Sequence, residues 1–314
     1  MEESVIKLLE QLDLILIGKK DKTKKIVATL LVGGNILLED VPGVGKTIVS
    51  KSLSKMIYKD DGQLIKFSRI QGTPDLLPYD ITGVDVYDPE KKDFVFKPGP
   101  VFTDILLADE LNRTTPKVQS ALLQAMAEKQ VTIGIKTYQL PEIFFVIATQ
   151  NPVESEGTYP LPAAQLDRFS CCLSIGYPDL ENEINIFQLG KSEDRFSILK
   201  PVISEKEILE IRKKIKEIEV NEKIHIAIAK ICQRTRETKD IRLGLSTRSG
   251  LMMIDMLKAN AYLNKRDFVT DQDLIDLAED VWAHRLMVIN PQIKPKELIS
   301  RITREEVRKI IRKF

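Results

Sequence analysis

One stretch, NILLEDVPGVGKTIVS at residues 35–50, constrains the fold more than any other part of the sequence. Its apolar start, ILL, is typical of a buried strand, and a helical pattern begins after a turn that contains two glycines. A strand that leads through such a loop into a helix directs backbone N–H groups and the positive end of the helix dipole at a bound anion. We therefore predict that this stretch binds phosphate groups.

The residue types at the end of the loop fit nucleoside triphosphate chemistry. We expect Lys46 to reach the β- and γ-phosphates and the Thr47 hydroxyl to hold Mg²⁺. The predicted nucleotide contacts in this stretch are Pro42, Gly43, Val44, Gly45, Lys46, Thr47 and Ile48. The pattern GxxxxGK[ST] is incomplete, because Asp40 occupies its first glycine position. Aspartate tolerates a left-handed backbone better than most residues, so we expect the turn to form with Asp40 in place.

Length and charge place the chain among globular proteins of about two domains. It has 314 residues, of which 43% are apolar and 30% charged, and its net charge is +1 from 47 basic and 46 acidic residues. This balance gives no overall bias toward nucleic acid or a membrane surface. Tyrosines and Trp282 do not alternate with a basic stripe, so base stacking on single strands is unsupported.

The cysteines and the N-terminus indicate a cytoplasmic protein. Cys171, Cys172 and Cys232 form no CxxC pattern, and the adjacent pair would point to opposite faces of a strand. We expect all three to be reduced residues in or near the core. The N-terminal segment lacks the basic and apolar regions of a signal peptide, and no apolar run approaches the length of a membrane span.

Apolar strands alternate with helical patterns in the first part of the chain, which predicts a parallel sheet with helices on both faces. The predicted strands are 36–38, 64–70, 104–110, 144–149 and 171–175, and the predicted helices are 3–17, 20–31, 48–57, 115–126 and 163–169, with a short helix opening at 74–77. Two hairpins are predicted at 84–96 and 131–140. After residue 178 the patterns are helical, at 204–218, 222–236, 246–263, 271–286 and 303–314, apart from a short strand-like stretch at 268–269. We divide the chain into a domain at 1–190 and a helical domain at 191–314.

An acidic pair, Asp109 and Glu110, ends the apolar run DILLAD at 104–109. We expect this strand to lie beside the strand of the phosphate-binding loop. Strand ends of this kind form the crevice in which open α/β sheets bind their ligands. Asp109 would then hold Mg²⁺, and Glu110 would polarise the attacking water. Alone, an acidic pair after a strand is weak evidence, but it becomes strong together with Lys46 and Thr47.

Six segments resemble the AAA+ ATPase superfamily and, within it, the MoxR family. They are LLEDVPGVGKT (37–47), RIQGTPDLLPYDITG (69–83), GPVFTDILLADELNRTTPKVQSALLQAMAE (99–128), VIATQNPVESEGTYPLPAAQLDRF (146–169), STRSG (246–250) and HR (284–285). The resemblance covers nearly the whole chain. It implies a P-loop AAA+ three-layer αβα domain with a parallel central sheet, followed by an all-α lid domain. The sequence departs from the family at Asp40, at Gly72, where relatives carry a larger residue, and at Thr247, where they carry proline.

The resemblance also implies roles for single residues. Asn151 matches the first sensor, an amide that orients water against the γ-phosphate, and Arg168 matches the arginine finger that acts on the nucleotide of the next subunit. Arg248 matches the second sensor on the lid. Ile17 and Gly18 occupy the place where such ATPases often touch the base. The two hairpins match insertions expected to face the ring pore or the partner.

These features together predict a MoxR-type motor that binds Mg²⁺ and ATP between the subunits of a hexameric ring and remodels or matures another protein. The resemblance suggests a partner with a von Willebrand factor A domain. One alternative is a motor that acts on nucleic acid or in a metal chelatase, which stimulation of ATPase activity by DNA, RNA or a porphyrin would favour. A second alternative is a nucleotide-sensing scaffold without hydrolysis. GTP remains an alternative to ATP, because the phosphate loop does not read the base.

Overall fold

The computed structural model describes residues 1–40, 45–152, 157–190 and 192–310. In this part of the chain the α-helices are α1 (Glu3–Ile15), α2 (Lys20–Leu31), α3 (Lys46–Met56), α4 (Pro78–Thr82), α5 (Pro116–Glu128), α6 (Ala163–Leu166), α7 (Leu180–Leu189), α8 (Ser192–Ser197), α9 (Glu205–Glu217), α10 (Glu222–Glu237), α11 (Thr247–Leu263), α12 (Asp271–Trp282) and α13 (Pro295–Ile310). The strands are β1 (Ile36–Glu39), β2 (Ile57–Tyr58), β3 (Phe67–Gln71), β4 (Gly83–Asp88), β5 (Asp93–Pro98), β6 (Ile105–Asp109), β7 (Gln130–Ile133), β8 (Lys136–Gln139), β9 (Phe145–Gln150), β10 (Cys171–Leu173), β11 (Ile203–Ser204), β12 (Ile241–Leu243) and β13 (Met287–Val288). Short 3₁₀ turns lie at Leu111–Arg113 and Ala283–Arg285.

Five parallel strands form the central sheet in the order β10–β1–β9–β6–β3. Our expectation that the strand of the acidic pair lies beside the strand of the phosphate-binding loop is therefore wrong, because β9 lies between β1 and β6. Leu37 of β1 pairs with Ala148 of β9, which in turn pairs with Ala108 of β6. The end of β9 is thus placed between the two sets of predicted catalytic residues.

Helices cover both faces of the sheet, because successive residues of each buried strand point to opposite sides. Ile36 and Leu38 belong to an apolar cluster with α1, α2 and α3, whereas Leu37 belongs to a second cluster with α5. Cys171 and Cys172 fall in different clusters, as predicted, and all three cysteines are buried and free. The three-layer αβα architecture with a parallel central sheet is confirmed.

Both predicted hairpins are present as antiparallel pairs, β4 with β5 and β7 with β8. The ring of Phe96 in the first hairpin stacks on that of Tyr138 in the second, with 4.1 Å between their centroids. Phe102 contacts both rings edge-on. The two hairpins therefore contact each other through aromatic side chains. Their orientation toward a pore or partner stays a prediction.

The second part of the chain is a helical lid, also as predicted, with α9 to α13 and the fully buried Trp282 in its core. Several local predictions differ from the structure. The last helix, predicted from residue 303, begins at Pro295, and the strand predicted from residue 64 begins at Phe67. The short helix expected at 74–77 begins instead at Pro78, and the helix expected to reach Leu286 ends at Trp282. The stretch at 268–269 makes a single bridge with Glu219, whereas the pairing of β12 with β13 was not predicted.

The segment after residue 190 contacts the first part of the chain closely. Lys55 Nζ on α3 donates to the carbonyl oxygens of Phe196 and Ser197 at 2.7 and 2.8 Å, and β11 pairs with β2. Our division at residue 190 stays a prediction. In the described part of the chain, no helix is both long enough and apolar enough to span a membrane.

Candidate active site

A cleft of about 380 Å³ lies where strands β6 and β9 and helix α3 meet. Its lining brings together seven of the predicted site residues, which are Gly45, Lys46, Thr47, Ile48, Asp109, Glu110 and Asn151. The other described residues along it are Lys51, Ser192 and Glu193. The cleft thus lies at the carboxyl ends of parallel strands, where open α/β sheets bind their ligands. Pro42, Gly43 and Val44 lie outside the described residues.

The first turn of α3 presents unsatisfied backbone N–H groups to this cleft. Gly45 precedes the helix with a positive φ of 93°, a conformation that glycine adopts without strain. Because Gly45 is the N-cap residue and has no side chain, no side-chain hydrogen bond caps the first N–H groups of α3. Lys46 Nζ donates to the carbonyl oxygen of Asp40 at 2.9 Å. A helix end with free N–H groups and a nearby ammonium group suits a bound oxyanion.

The structure gives Asp40 a different role from the one that we expected. Its backbone is not in the left-handed region. Its carboxylate instead accepts hydrogen bonds from the backbone of Ile175 at 2.6 Å and Gly176 at 3.0 Å, and from Ser174 Oγ at 2.8 Å. Asp40 therefore ties the start of the phosphate-binding loop to the segment after β10.

Thr149, near the end of β9, connects the two acidic residues. Its hydroxyl donates to Asp109 Oδ1 at 2.6 Å and accepts from the backbone N–H of Glu110 at 2.8 Å. Thr149 is fully buried. This one hydroxyl therefore contacts both acidic residues, and sequence reasoning missed it because it placed no strand between β1 and β6.

Strand β3 supplies the partners on the other side of the acidic pair. Arg69 Nη2 donates to Asp109 Oδ2 at 2.6 Å, and Gln71 Nε2 donates to Glu110 Oε2 at 2.9 Å. Arg113 Nε lies 3.5 Å from the same Glu110 oxygen. These contacts hold the two carboxylates in place from the side of β3. Neither Arg69 nor Gln71 was singled out from the sequence, because nothing in the pattern of β3 marks their partners.

The backbone of the acidic pair is held in an uncommon conformation. Glu110 has φ 54° and ψ 46°, the left-handed region, where non-glycine residues are strained. The Gly72 N–H donates to the Asp109 carbonyl oxygen at 2.7 Å, and a Cβ at Gly72 would lie 2.1 Å from the Glu110 carbonyl oxygen. Only glycine therefore fits at this position of the structure.

A second cavity, of about 510 Å³, adjoins the first and shares Gly45, Ile48, Ser192 and Glu193 with it. Ile17 lines this cavity, whereas Gly18 does not and lies against the side chain of Asn182. Arg195 also lines it, and its Nε and Nη1 atoms are buried without a hydrogen-bond partner among the described residues. Buried donors without acceptors are costly, so Arg195 is suited to a ligand that brings acceptors. No sequence pattern marks Arg195.

Arg168 and Arg248 do not lie among the described residues that line either cavity. Arg168 Nη1 donates to the carbonyl oxygen of Leu123 at 2.5 Å. Arg248 is exposed in the first turn of α11. The structure thus places both arginines outside the phosphate cleft of their own chain, and their roles stay predictions.

A buried network between the core and the lid joins the neighbours of these two arginines. Asp167 accepts from Arg285 Nε and from Ser249 Oγ, both at 3.0 Å. Arg285 is buried and also donates to the carbonyl oxygen of Phe169 at 2.5 Å. The His284 ring contacts the same carbonyl through Nε2 at 3.2 Å. Because Asp167 precedes Arg168 and Ser249 follows Arg248, the network links the chain segments that carry the two arginines.

Burial sets the charge states in this network. The pKa of His284 is held well below its usual value, first by burial and then by the charge of Arg285. A neutral His284 can donate its Nε2–H to Phe169. Burial also lowers the pKa of Arg285, while Asp167 opposes that shift. The network therefore contains one ion pair and a neutral imidazole.

Thr47 and Asp109 fit a magnesium ion that arrives with a triphosphate. Among the described residues, no group of three or more His, Cys, Asp or Glu side chains could hold a metal by itself. Mg²⁺ at nucleotide sites needs only one or two protein oxygens beside phosphate and water. A hydroxyl and a carboxylate on one cleft provide that donor set.

Comparison with known proteins agrees with this geometry. Residues 35–171 match the family model described as "ATPase family associated with various cellular activities (AAA)", and residues 233–310 match the AAA lid domain. The chain is 43% identical over 288 residues to the uncharacterised protein YeaC of Bacillus subtilis, covering 92% of this chain and 88% of YeaC. It is 36% identical over 306 residues to Chaperone MoxR1 of Mycobacterium tuberculosis, covering 92% of this chain and 78% of that protein. A crystal structure from Cytophaga hutchinsonii, described provisionally as an ATPase, is similar with a TM-score of 0.85 and 37% identity, covering 96% of this chain and 93% of that one.

Proposed function

Because the chain is a member of the MoxR family of AAA+ ATPases, we propose that it binds ATP with Mg²⁺, hydrolyses it, and uses the energy to remodel or mature a partner protein. The observation that carries this proposal is the single cleft that Lys46, Thr47, Asp109, Glu110 and Asn151 share. These residue types are the ones that phosphoryl transfer to water requires. A scaffold without hydrolysis would not need Glu110 and Asn151 at the same cleft.

Each residue of the cleft has a distinct role in the proposal. The first turn of α3 and Lys46 bind the phosphates, and Lys46 exchanges its contact with the Asp40 carbonyl oxygen for phosphate oxygens. Thr47 and Asp109 hold Mg²⁺, which neutralises charge on the phosphates when bound. Glu110 accepts a proton from the attacking water, and Asn151 orients that water. Thr149 is a positioning residue, because it contacts Asp109 and Glu110 rather than the substrate.

The nucleoside belongs in the adjoining cavity lined by Ile17 and Arg195. That cavity and the phosphate cleft meet at Gly45 and Ile48, so one nucleotide can extend through both. The unpartnered donors of Arg195 would meet acceptors on the base or ribose. Both purines carry such acceptors, so the preference for ATP over GTP is part of the proposal and needs its own measurement.

Assembly into a ring, expected to be hexameric, completes the site. Arg168 lies outside the phosphate cleft of its own chain among the described residues, which is consistent with action on the nucleotide of a neighbouring subunit. Arg248 would reach the γ-phosphate after movement of the lid. An arginine supplied across an interface stabilises the charge of the transferring phosphoryl group.

The partner is proposed from the family. One relative is named as a chaperone, and a protein with a von Willebrand factor A domain is the partner that we propose for this chain. We also propose a cytoplasmic location, since all three cysteines are free and buried. Nucleic acid and chelatase substrates remain the alternative, and a stimulation of hydrolysis by DNA, RNA or a porphyrin would favour it.

Mixing two inactive variants tests hydrolysis and the shared site together. Glu110→Gln removes the base and Arg168→Ala removes the finger, so each variant alone should bind ATP without releasing phosphate. In an equal mixture, about one quarter of the sites in a randomly mixed ring combine an intact Glu110 with a neighbour's Arg168, and activity should return to about that fraction of the wild-type rate.

Two controls sharpen this experiment. A mixture of Glu110→Gln with the double variant Glu110→Gln/Arg168→Ala contains no complete site and should stay inactive. Lys46→Ala should lose ATP affinity in calorimetry. Wild-type phosphate release by Glu110→Gln would remove Glu110 from the mechanism, whereas absence of recovery at every mixing ratio would show that Arg168 does not act between subunits.

A further inference from the structure

A third cleft, which we call the basic cleft, lies away from the proposed nucleotide site. Its volume is about 590 Å³, and it lies between α9, α11, the end of α2 and the segment that follows α5. Its cationic lining residues are Lys129, Lys206, Arg212, Lys213, Lys216 and Lys258, and its acidic ones are Glu142, Glu210 and Asp255. Cations thus outnumber acidic residues by two to one in a chain whose net charge is only +1.

The cations of the basic cleft differ from other cations of the chain in their ion pairing. Within the described ranges, none of the six makes a salt bridge, although Lys25, Arg69, Arg234 and Arg266 elsewhere all do. Lys258 Nζ donates to the carbonyl oxygen of Lys216 at 2.6 Å, which holds the ammonium group near the backbone of α9. A solvated lysine surface is the ordinary explanation of such a patch, so the evidence for a site must come from the less exposed pair.

Lys129 and Arg212 form that pair. Lys129 Nζ lies 3.4 Å and Arg212 Nη1 lies 3.5 Å from the same atom, the carbonyl oxygen of Glu142, so the two cationic nitrogens are within about 7 Å of each other. Burial lowers the pKa of both groups, and the charge of Arg212 lowers that of Lys129 further, while the Glu142 carboxylate opposes both shifts. Two like charges at this separation repel each other unless an anion lies between them.

The pair is held in place by the fold. Arg212 Nε and Nη2 donate to the carbonyl oxygens of Leu31 and Leu30, each at 3.1 Å. A Cβ at Gly33 would lie 3.2 Å from Arg212 Cζ, so the guanidinium packs closely on the end of α2. Lys129 ends α5 in the left-handed conformation, with φ 51°. The guanidinium group of Arg212 is therefore fixed beside Lys129 in this conformation.

We propose that the basic cleft binds a small multivalent oxyanion of the polyphosphate class, centred on Lys129 and Arg212 and held at its edge by Lys213 and Lys216. A multivalent phosphate group supplies several acceptors to a lysine and an arginine together. Lys129 follows a helix of the sheet domain, whereas Arg212 and Lys258 lie on lid helices. The bound anion would therefore bridge the two parts of the chain at a site separate from the phosphate cleft.

Calorimetry with inorganic tripolyphosphate tests this proposal. The titration uses the full chain with Lys46→Ala, which weakens binding at the phosphate-binding loop, at constant ionic strength. We expect saturable binding in this background. Lys213 and Lys216 are both exposed, so Lys213→Gln and Lys216→Gln together should weaken the affinity about tenfold without unfolding the chain.

A matched variant removes the same charge from the lid elsewhere. Lys230 and Lys239 are exposed and do not line the basic cleft, so Lys230→Gln/Lys239→Gln should change the affinity less than twofold. Equal weakening by both double variants would overturn the proposal, because it would indicate unspecific charge attraction. Loss of all binding in the Lys46→Ala background would also overturn it, as would displacement of tripolyphosphate by a lower concentration of a glutamate-rich peptide.

Discussion

Replacing Thr149 with valine would remove the hydroxyl that joins Asp109 to Glu110 while nearly keeping the shape of the side chain. In the folded protein this hydroxyl donates to Asp109 Oδ1 at 2.6 Å and accepts from the Glu110 N–H at 2.8 Å. Thr149 is fully buried, so water cannot replace the lost contacts without a rearrangement of the sheet.

The expected loss of stability follows from these two contacts. A hydrogen bond to a charged group contributes about 1.5–3 kcal/mol, and a buried N–H left without an acceptor costs about 1–3 kcal/mol. The added methyl group of valine offsets about 1 kcal/mol of this through apolar burial. The free energy of unfolding should therefore fall by about 3 kcal/mol.

Urea denaturation followed by circular dichroism measures this change. Thr303→Val is the matched control, because Thr303 is also fully buried but its hydroxyl has no hydrogen-bond partner within the described ranges. That variant should be neutral or slightly stabilised. Fluorescence of the single tryptophan, Trp282 in the lid, shows whether the lid unfolds together with the sheet.

Hydrolysis provides the second measurement on Thr149→Val. Because the hydroxyl positions Glu110 without touching the substrate, kcat should fall while the KM for ATP changes little. A variant whose stability and kcat both match the wild type would refute the assigned role of Thr149. If Thr149→Val changed the free energy of unfolding no more than Thr303→Val does, while kcat still fell, only the energetic reasoning would be refuted.

Two other changes test separate parts of the structure. Gly72→Ala should lower the free energy of unfolding by more than about 2 kcal/mol and lower the rate of ATP hydrolysis, since its Cβ would lie 2.1 Å from the Glu110 carbonyl oxygen. The control variant Gly134→Ala, with nothing within 4 Å of its Cβ, should lower the free energy of unfolding only by the roughly 1–2 kcal/mol of left-handed strain. The lowered pKa of His284 means that below about pH 6.5 the unfolded chain binds a proton that the folded one does not. As the pH is lowered, the free energy of unfolding should therefore decrease more steeply in the wild type than in His284→Asn, by up to about 1.4 kcal/mol per pH unit. Urea denaturation between pH 5 and 7 measures both slopes. The control variant His225→Asn, at an exposed position, should keep the wild-type slope.

The sequence was sufficient for most elements of the fold, because each carries a local signal. Buried parallel strands are apolar runs, and the helices of the lid have apolar residues at helical spacing. The strand of the acidic pair and the helix at 116–128 were predicted from such patterns. The pairing of β12 with β13 was missed because each strand has only two or three residues, too few to show an alternation.

The order of the strands was not predictable from the same signals. Strands β1, β6 and β9 are all continuously apolar, so nothing in their composition specifies which of them is central. The error had a consequence for the site. With β9 between the other two, Thr149 is placed against both acidic residues, and this contact could be inferred only from the correct order.

Asp40 shows how a departure from a pattern can be identified in the sequence yet explained only by the structure. A missing glycine raises the question of backbone conformation, and the sequence offered left-handed tolerance as the answer. The three hydrogen bonds that the Asp40 carboxylate accepts come from residues 174–176, more than 130 positions away, and no local pattern contains them. Because these bonds use the carboxylate, the carbonyl oxygen of Asp40 stays available to Lys46. The same residue thus anchors the loop through its side chain and holds the phosphate-binding lysine through its backbone.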